Sequence, residues 1–151
     1  MGIYTRLIEV MDVFLKNVHL GGIGTAWKYE SSTSGGTVHV TDSYFSSDNT
    51  GRTSTSPALW VSGYGNLSIY DSHLSGSDHA LRLTDFQGEE SLLRIYHSHL
   101  ESKTQSAISI LQSSFSGDGS FDTHQQMPGV MLMGSQIMGK LHGIEVNALD
   151  L

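Results

Sequence analysis

Two aspartates, Asp42 and Asp71, hold the same place in two segments of matching pattern, Val38-His-Val40-Thr-Asp-Ser43-Tyr-Phe45 and Leu67-Ser-Ile69-Tyr-Asp-Ser72-His-Leu74. If these segments pair as strands about 4.8 Å apart, the two carboxyl groups come to about 5 Å, a separation that retaining glycosidases use. Carboxylates that close push one pKa up and can supply an acid and a base. The commoner role of an Asp beside a turn is to bond nearby backbone. His73, two residues after Asp71, adds an imidazole, the commonest general acid or base, so Asp42, Asp71 and His73 are the catalytic candidates. A lyase would instead set a base such as His73 or Tyr44 beside a cation such as Arg82 or Lys28.

Trp60 is the strongest candidate for binding. It falls at the centre of a short apolar segment, with Lys28 and Arg82 at the matching places of the segments before and after. An outward indole there can stack a sugar face while the cations engage hydroxyls or carboxylates, and Tyr44 and His99 extend the substrate-binding set. The rival role is a contact between subunits, where aromatic residues and Arg are enriched. His73, His97 and His99 invite a metal reading, but residues 97 and 99 need not point the same way and no fourth ligand is evident. No metal and no cofactor is therefore expected.

These residues are positioned by a repeat. One eight-residue cassette starts at Val13, Val38, Leu67, Leu93 and Val130, with apolar residues at its first, third and eighth places. A shorter cassette follows each: Ala26-Trp-Lys-Tyr29, Ala58-Leu-Trp-Val61, Ala80-Leu-Arg-Leu83, Ala107-Ile-Ser-Ile110 and Gly143-Ile-Glu-Val146. The long cassettes recur at intervals of 25, 29, 26 and 37 residues. Two strands per interval with no helical segment predict a parallel β-helix, each interval one coil. Inward Leu, Ile and Val then form aliphatic ladders, and Ser43, Ser72, Ser98 and Ser135 form a polar ladder whose hydroxyls bond backbone beside a bend.

The same register predicts three outward rows. After the Ser file come His19, Tyr44, His73, His99 and Gln136; before it come Asn17, Asp42, Asp71, His97 and Gly134. The short strands contribute Glu9, Lys28, Trp60, Arg82, Ser109 and Glu145, because Leu7-Ile-Glu-Val10 matches the short cassette of a preceding coil. Loops are expected at 46–56, 84–91 and 111–129. The last carries Asp118, Asp122 and His124 but lacks the closing Glu of a helix-flanked calcium loop. A chain that begins within a coil and stops soon after its last strand would expose open ends, so a longer β-helix or a covering chain is expected.

Composition narrows the function. The 151 residues, 38% hydrophobic, fit a single domain spanning 1–151. A net charge of −7 with eight Lys plus Arg provides no basic stripe for a nucleic acid, and no apolar run is long enough to span a membrane. Cysteine is absent, so disulfides and thiolate metal sites are excluded. No flat file of outward Thr repeats across coils, which argues against an ice-binding solenoid.

The apolar-x-apolar-x-x-Ser-x-apolar cassette followed by a short strand resembles the right-handed parallel β-helix proteins of the phage tailspike and pectate-lyase type, over nearly the whole chain. That resemblance implies an all-β, right-handed β-solenoid of about five coils, part of a longer or oligomeric assembly. It also implies binding, with depolymerisation left open, of a bacterial surface polysaccharide by a homotrimeric tailspike in a virion tail or outside the cell. A depolymerase of this type would be a glycoside hydrolase or a polysaccharide lyase. The alternative is a non-catalytic stalk or assembly module of a trimeric fibre or adhesin. No family catalytic motif aligns with residues here.

Overall fold

The computed structural model describes residues 3–7, 12–32, 36–48, 56–87, 92–113 and 129–147. Among them the regular elements are all strands. The chain opens with β1 (Ile3–Leu7) and then repeats a three-strand coil: β2 (Val13–Lys16), β3 (His19–Leu20) and β4 (Trp27–Ser31); β5 (Thr37–Thr41), β6 (Tyr44–Ser46) and β7 (Leu59–Tyr64). The third and fourth coils are β8 (Asn66–Tyr70), β9 (His73–Gly76) and β10 (Leu81–Gln87), then β11 (Leu93–Tyr96), β12 (His99–Ser102) and β13 (Ile108–Leu111). The fifth is β14 (Val130–Met133), β15 (Gln136–Met138) and β16 (Ile144–Asn147).

Each strand pairs in parallel with its equivalent one coil away, which gives three sheets: β1-β4-β7-β10-β13-β16, β2-β5-β8-β11-β14 and β3-β6-β9-β12-β15. The expected parallel β-helix architecture is thus present, with one difference. The interval holds three strands, because the long cassette bends in its middle and its halves join different sheets. At the bend the residue before the Ser file adopts a left-handed backbone: Asn17, Asp42, Asp71, His97 and Gly134 have φ of 56°, 48°, 48°, 48° and 59°. Asn, Asp and Gly are the residues that enter this region at least cost. The row that looked like an outward file of functional groups is therefore also the file of corner formers.

The inward ladders meet in one core. Val40, Leu67, Ile69 and Ile95 from the second sheet, Phe45, Leu74 and Leu100 from the third, and Trp27, Leu59, Leu81 and Ile108 from the first are fully or almost fully buried in one cluster. The Ser file holds the corner beside it. Ser72 Oγ donates to the Tyr70 carbonyl at 2.7 Å and accepts from Ser43 N at 3.1 Å; Ser43 repeats this towards Thr41 and Val18, and Ser98 towards Tyr96 and Ser72. Val18 closes the ladder with its N–H alone, so it needs no hydroxyl.

Two sequence expectations change. The first short strand is β1, and its register places Tyr4, not Glu9, opposite Lys28. Residues 8–10 of the expected cassette lie outside the described residues. The buried Trp27 favours the observed register, since its Nε1 donates to Thr5 Oγ1 at 3.1 Å. Of the expected loop 84–91, residues 84–87 belong to β10, which carries an irregularity between Thr84 and Gln87 in its pairing with β7. Residues 49–55, 88–91 and 114–128 of the expected loops, with Asp118, Asp122 and His124, lie outside the described residues.

Candidate functional site

The predicted row after the Ser file is realised: His19 pairs with Tyr44, Tyr44 with His73, His73 with His99, and His99 with Gln136. Because these are first residues of β3, β6, β9, β12 and β15, they line one side of the left-handed corner. Between them and the corner residues Asp42, Asp71, His97 and Gly134 runs a shallow open groove of 610 Å³ along the coil axis. Its rings pack edge to face: Tyr44 on His73 at 5.1 Å and His73 on His99 at 4.7 Å between centroids. His97 Nδ1 lies 3.8 Å from Asp71 Oδ1, and its ring overhangs Gly134, where an added Cβ would come within 2.6 Å of His97 Cδ2.

Five of the eight candidate residues therefore share one surface: Asp42, Asp71, His73, Tyr44 and His99. Lys28, Trp60 and Arg82 do not join them. They lie on β4, β7 and β10 of another sheet, where Trp60 pairs with Lys28 on one side and Arg82 on the other. Lys28 Nζ stands 4.3 Å from the indole and the Arg82 guanidinium 5.3 Å, so each neighbouring coil lays a cation on Trp60. Its Nε1 donates to Thr84 Oγ1 at 2.9 Å. An aromatic platform for a sugar needs an uncovered face, and this ladder spends its indole on cation–π contacts instead.

The ladder continues outward in charge. Lys28 Nζ binds Glu30 at 2.8 Å, and the Tyr4 hydroxyl donates to the same carboxylate. The lysine first and the phenol second hold the Glu30 carboxyl below the ordinary range, while the bond to that carboxylate raises the Tyr4 phenol.

One residue of the groove's margin was missed in the sequence. Glu101 follows His99 by two positions on β12, so strand alternation puts both on one face. Its Oε1 lies 3.3 Å from His73 Nε2 and its Oε2 lies 3.3 Å from His99 Nε2. The Ser75 hydroxyl, followed by the two imidazoles, draws the Glu101 carboxyl below its ordinary pKa against the opposing effect of burial. Glu101 falls just beyond the eight-residue cassette, which is why register alone did not single it out; the i, i+2 relation to His99 was the available signal.

No family model, curated protein or solved structure matches this chain. Function must come from the groove and the faces themselves.

Proposed function

We propose that this chain binds a bacterial surface polysaccharide along the corner groove, as part of a tailspike-like β-helix. The observation that carries the reading is the unbroken axial row from His19 to Gln136, faced by Asp42, Asp71 and His97. Strand stacking repeats hydrogen-bonding and aromatic groups about every 4.8 Å along one line, which suits a linear polymer of polar rings better than a compact small molecule. Cleavage is a further step in the same groove, with Asp42 and Asp71 as the acid and base pair and His73 beside them.

Binding to a panel of capsular and O-antigen polysaccharides, measured by calorimetry, tests this directly. Tyr44→Ala is expected to weaken binding about tenfold, since stacking on an aromatic contributes about 1 kcal/mol or more. Trp60→Ala on the other sheet should leave affinity unchanged; an equal loss there moves the site to the Lys28–Trp60–Arg82 ladder. New reducing ends would mark hydrolysis, and ultraviolet absorbance from a new double bond would mark elimination. Absence of binding across the panel sinks the reading.

A second reading, a structural module of a trimeric fibre, is favoured by the outward face of the second sheet. Phe14, 70% exposed, stacks on His39 at 4.5 Å with the rings 2° apart, and Met133 at the far end of that sheet is 53% exposed. Tyr70 and Tyr96 stack between them at 5.0 Å. Exposed Phe14 and Met133 on one face, with the half-buried tyrosine pair in the file of Met133, suit subunit contact. Mass measurement in solution separates the readings: a trimer broken by Phe14→Asp would assign that face to assembly.

A further inference from the structure

We propose that His73, His99 and Glu101 form a binding site for a divalent transition-metal ion, with Zn2+ the expected occupant. The metal alone is the probe for this site, so the proposal stands apart from the polysaccharide reading. One ligand atom from each residue, a ring nitrogen from each histidine and a carboxylate oxygen, can be chosen so that all lie within 4.8 Å of one another. Two of the separations, His73 Nε2 to Oε1 and His99 Nε2 to Oε2, are 3.3 Å. Tetrahedral Zn2+ with bonds of about 2.0–2.2 Å holds its ligand atoms roughly 3.3–3.6 Å apart, which these two separations match.

The hydrogen bonds around the three residues point the same way. His99 Nδ1 lies 3.0 Å from Gln136 Oε1, a contact that is a hydrogen bond in the tautomer with its proton on Nδ1. In the neutral ring Nε2 then presents its lone pair to Glu101 Oε2 at 3.3 Å. A metal ion seated between these two atoms would be bonded by both. A ligating imidazole with its other nitrogen held by an amide or carboxylate oxygen is the usual outer arrangement of such sites. Glu101 is held in turn by a hydrogen bond from the Ser75 hydroxyl, which fixes its orientation.

The scaffold favours a preformed site. His73, His99 and Gln136 stand opposite one another on β9, β12 and β15, so the spacing of the donors is set by parallel backbone pairing rather than by a loop. The three ligand side chains are 31–40% exposed, open enough for an ion to enter from the groove. Two imidazoles and one carboxylate suit Zn2+, Co2+, Ni2+ or Cu2+, whereas Ca2+ and Mg2+ want an oxygen shell. Three protein ligands leave a fourth position to water or to a hydroxyl of whatever lies in the groove. His97, the residue the sequence had grouped with His73 and His99, is turned to Asp71 and is not a ligand.

The test uses the untagged, chelator-treated chain titrated with Zn2+ by calorimetry and with Co2+ by visible absorption. One ion per chain is expected, with absorption bands of tetrahedral cobalt. His73→Ala, His99→Ala and Glu101→Gln should each weaken binding by about tenfold or more, and Gln136→Ala by about tenfold through loss of the outer hydrogen bond. His97→Ala and His39→Ala should bind as the parent does. The unfolding midpoint should rise with Zn2+ in the parent and stay put in Glu101→Gln, which shows that a folded variant has lost only the ion. Zn2+ binding that survives Glu101→Gln, that is lost in His97→Ala, or that Ca2+ displaces would overturn the proposal.

Discussion

Asp71 shows how a residue proposed for chemistry can also be architectural. Its φ of 48° at the bend is one a side chain with a short polar group tolerates and a β-branched one does not. Asp71→Val is therefore expected to cost about 1–2 kcal/mol of stability, and Asp71→Gly far less, in denaturant unfolding. If Asp71 served only chemistry, the two variants would be equally stable. Glu101 makes a different prediction. Its folded pKa lies below the ordinary 4.5, so its contribution is complete above about pH 4.5 and is lost as pH falls through the lowered folded value. Glu101→Gln should therefore lose less stability than the parent over that acid window, measured as the denaturation midpoint at stepped pH.

The strands and corners explain what the sequence could and could not disclose. The long cassette was legible because Leu67, Leu93 and their equivalents stack on one another, and a ladder demands the same residue class in every coil. Its division into two strands was not, since left-handed φ at Asn17 or His97 leaves a weaker mark than a glycine would. The first short strand was read five residues late because Leu7-Ile-Glu-Val10 and Gly143-Ile-Glu-Val146 share an apolar pattern, while the real register follows from Trp27 and Thr5. A third corner, between β9 and β10, left its mark in the sequence as the small residues Ala26, Ala58, Ala80, Ala107 and Gly143, which pointed to a close turn of the wall. There Gly76 pairs with Ser102, and a Cβ on Gly76 would stand 1.7 Å from the His79 carbonyl oxygen. Small residues recur at this place because the chain turns back on itself with no room for a side chain. Gly76→Ala should lower the thermal midpoint by several degrees, the effect of about 1–3 kcal/mol of overpacking in a domain of this size. An unchanged midpoint would mean that the turn yields freely.

At the scale of the molecule, the coils differ in how well they are covered. In the middle three, inward side chains are sealed by a coil on either side. In the last, Val130, Leu132, Ile144 and Val146 are 36–57% exposed and, with Leu93, Ile108 and Ile110, line an apolar hollow of 340 Å³ among the described residues. Apolar side chains beside unpaired strand edges favour association between chains. Val146→Lys is accordingly expected to reduce concentration-dependent self-association in sedimentation, and equal association in both proteins would show that this end is already covered. The candidate site was legible only in part for a similar reason of scale. Register names the residues that share a row, yet which row becomes a groove depends on the corner beside it, and the separation of Trp60 from Tyr44 depends on the sheet each joins.

Leu67 and Leu93 occupy the same point of successive turns, and Ser72 meets Ser98 across a separation of 26 residues. Excising residues 67–92 would join Asn66 to Leu93 where it now joins Leu67, and the inward aliphatic files would close up by one step without a new kind of neighbour. Such a chain would keep its wall, its corners and its serine ladder while losing His73 and nothing else of the three proposed ligands. A turn of this solenoid is thus a modular unit of structure: gain or loss of one would lengthen, shorten or re-equip the groove without redesigning the core.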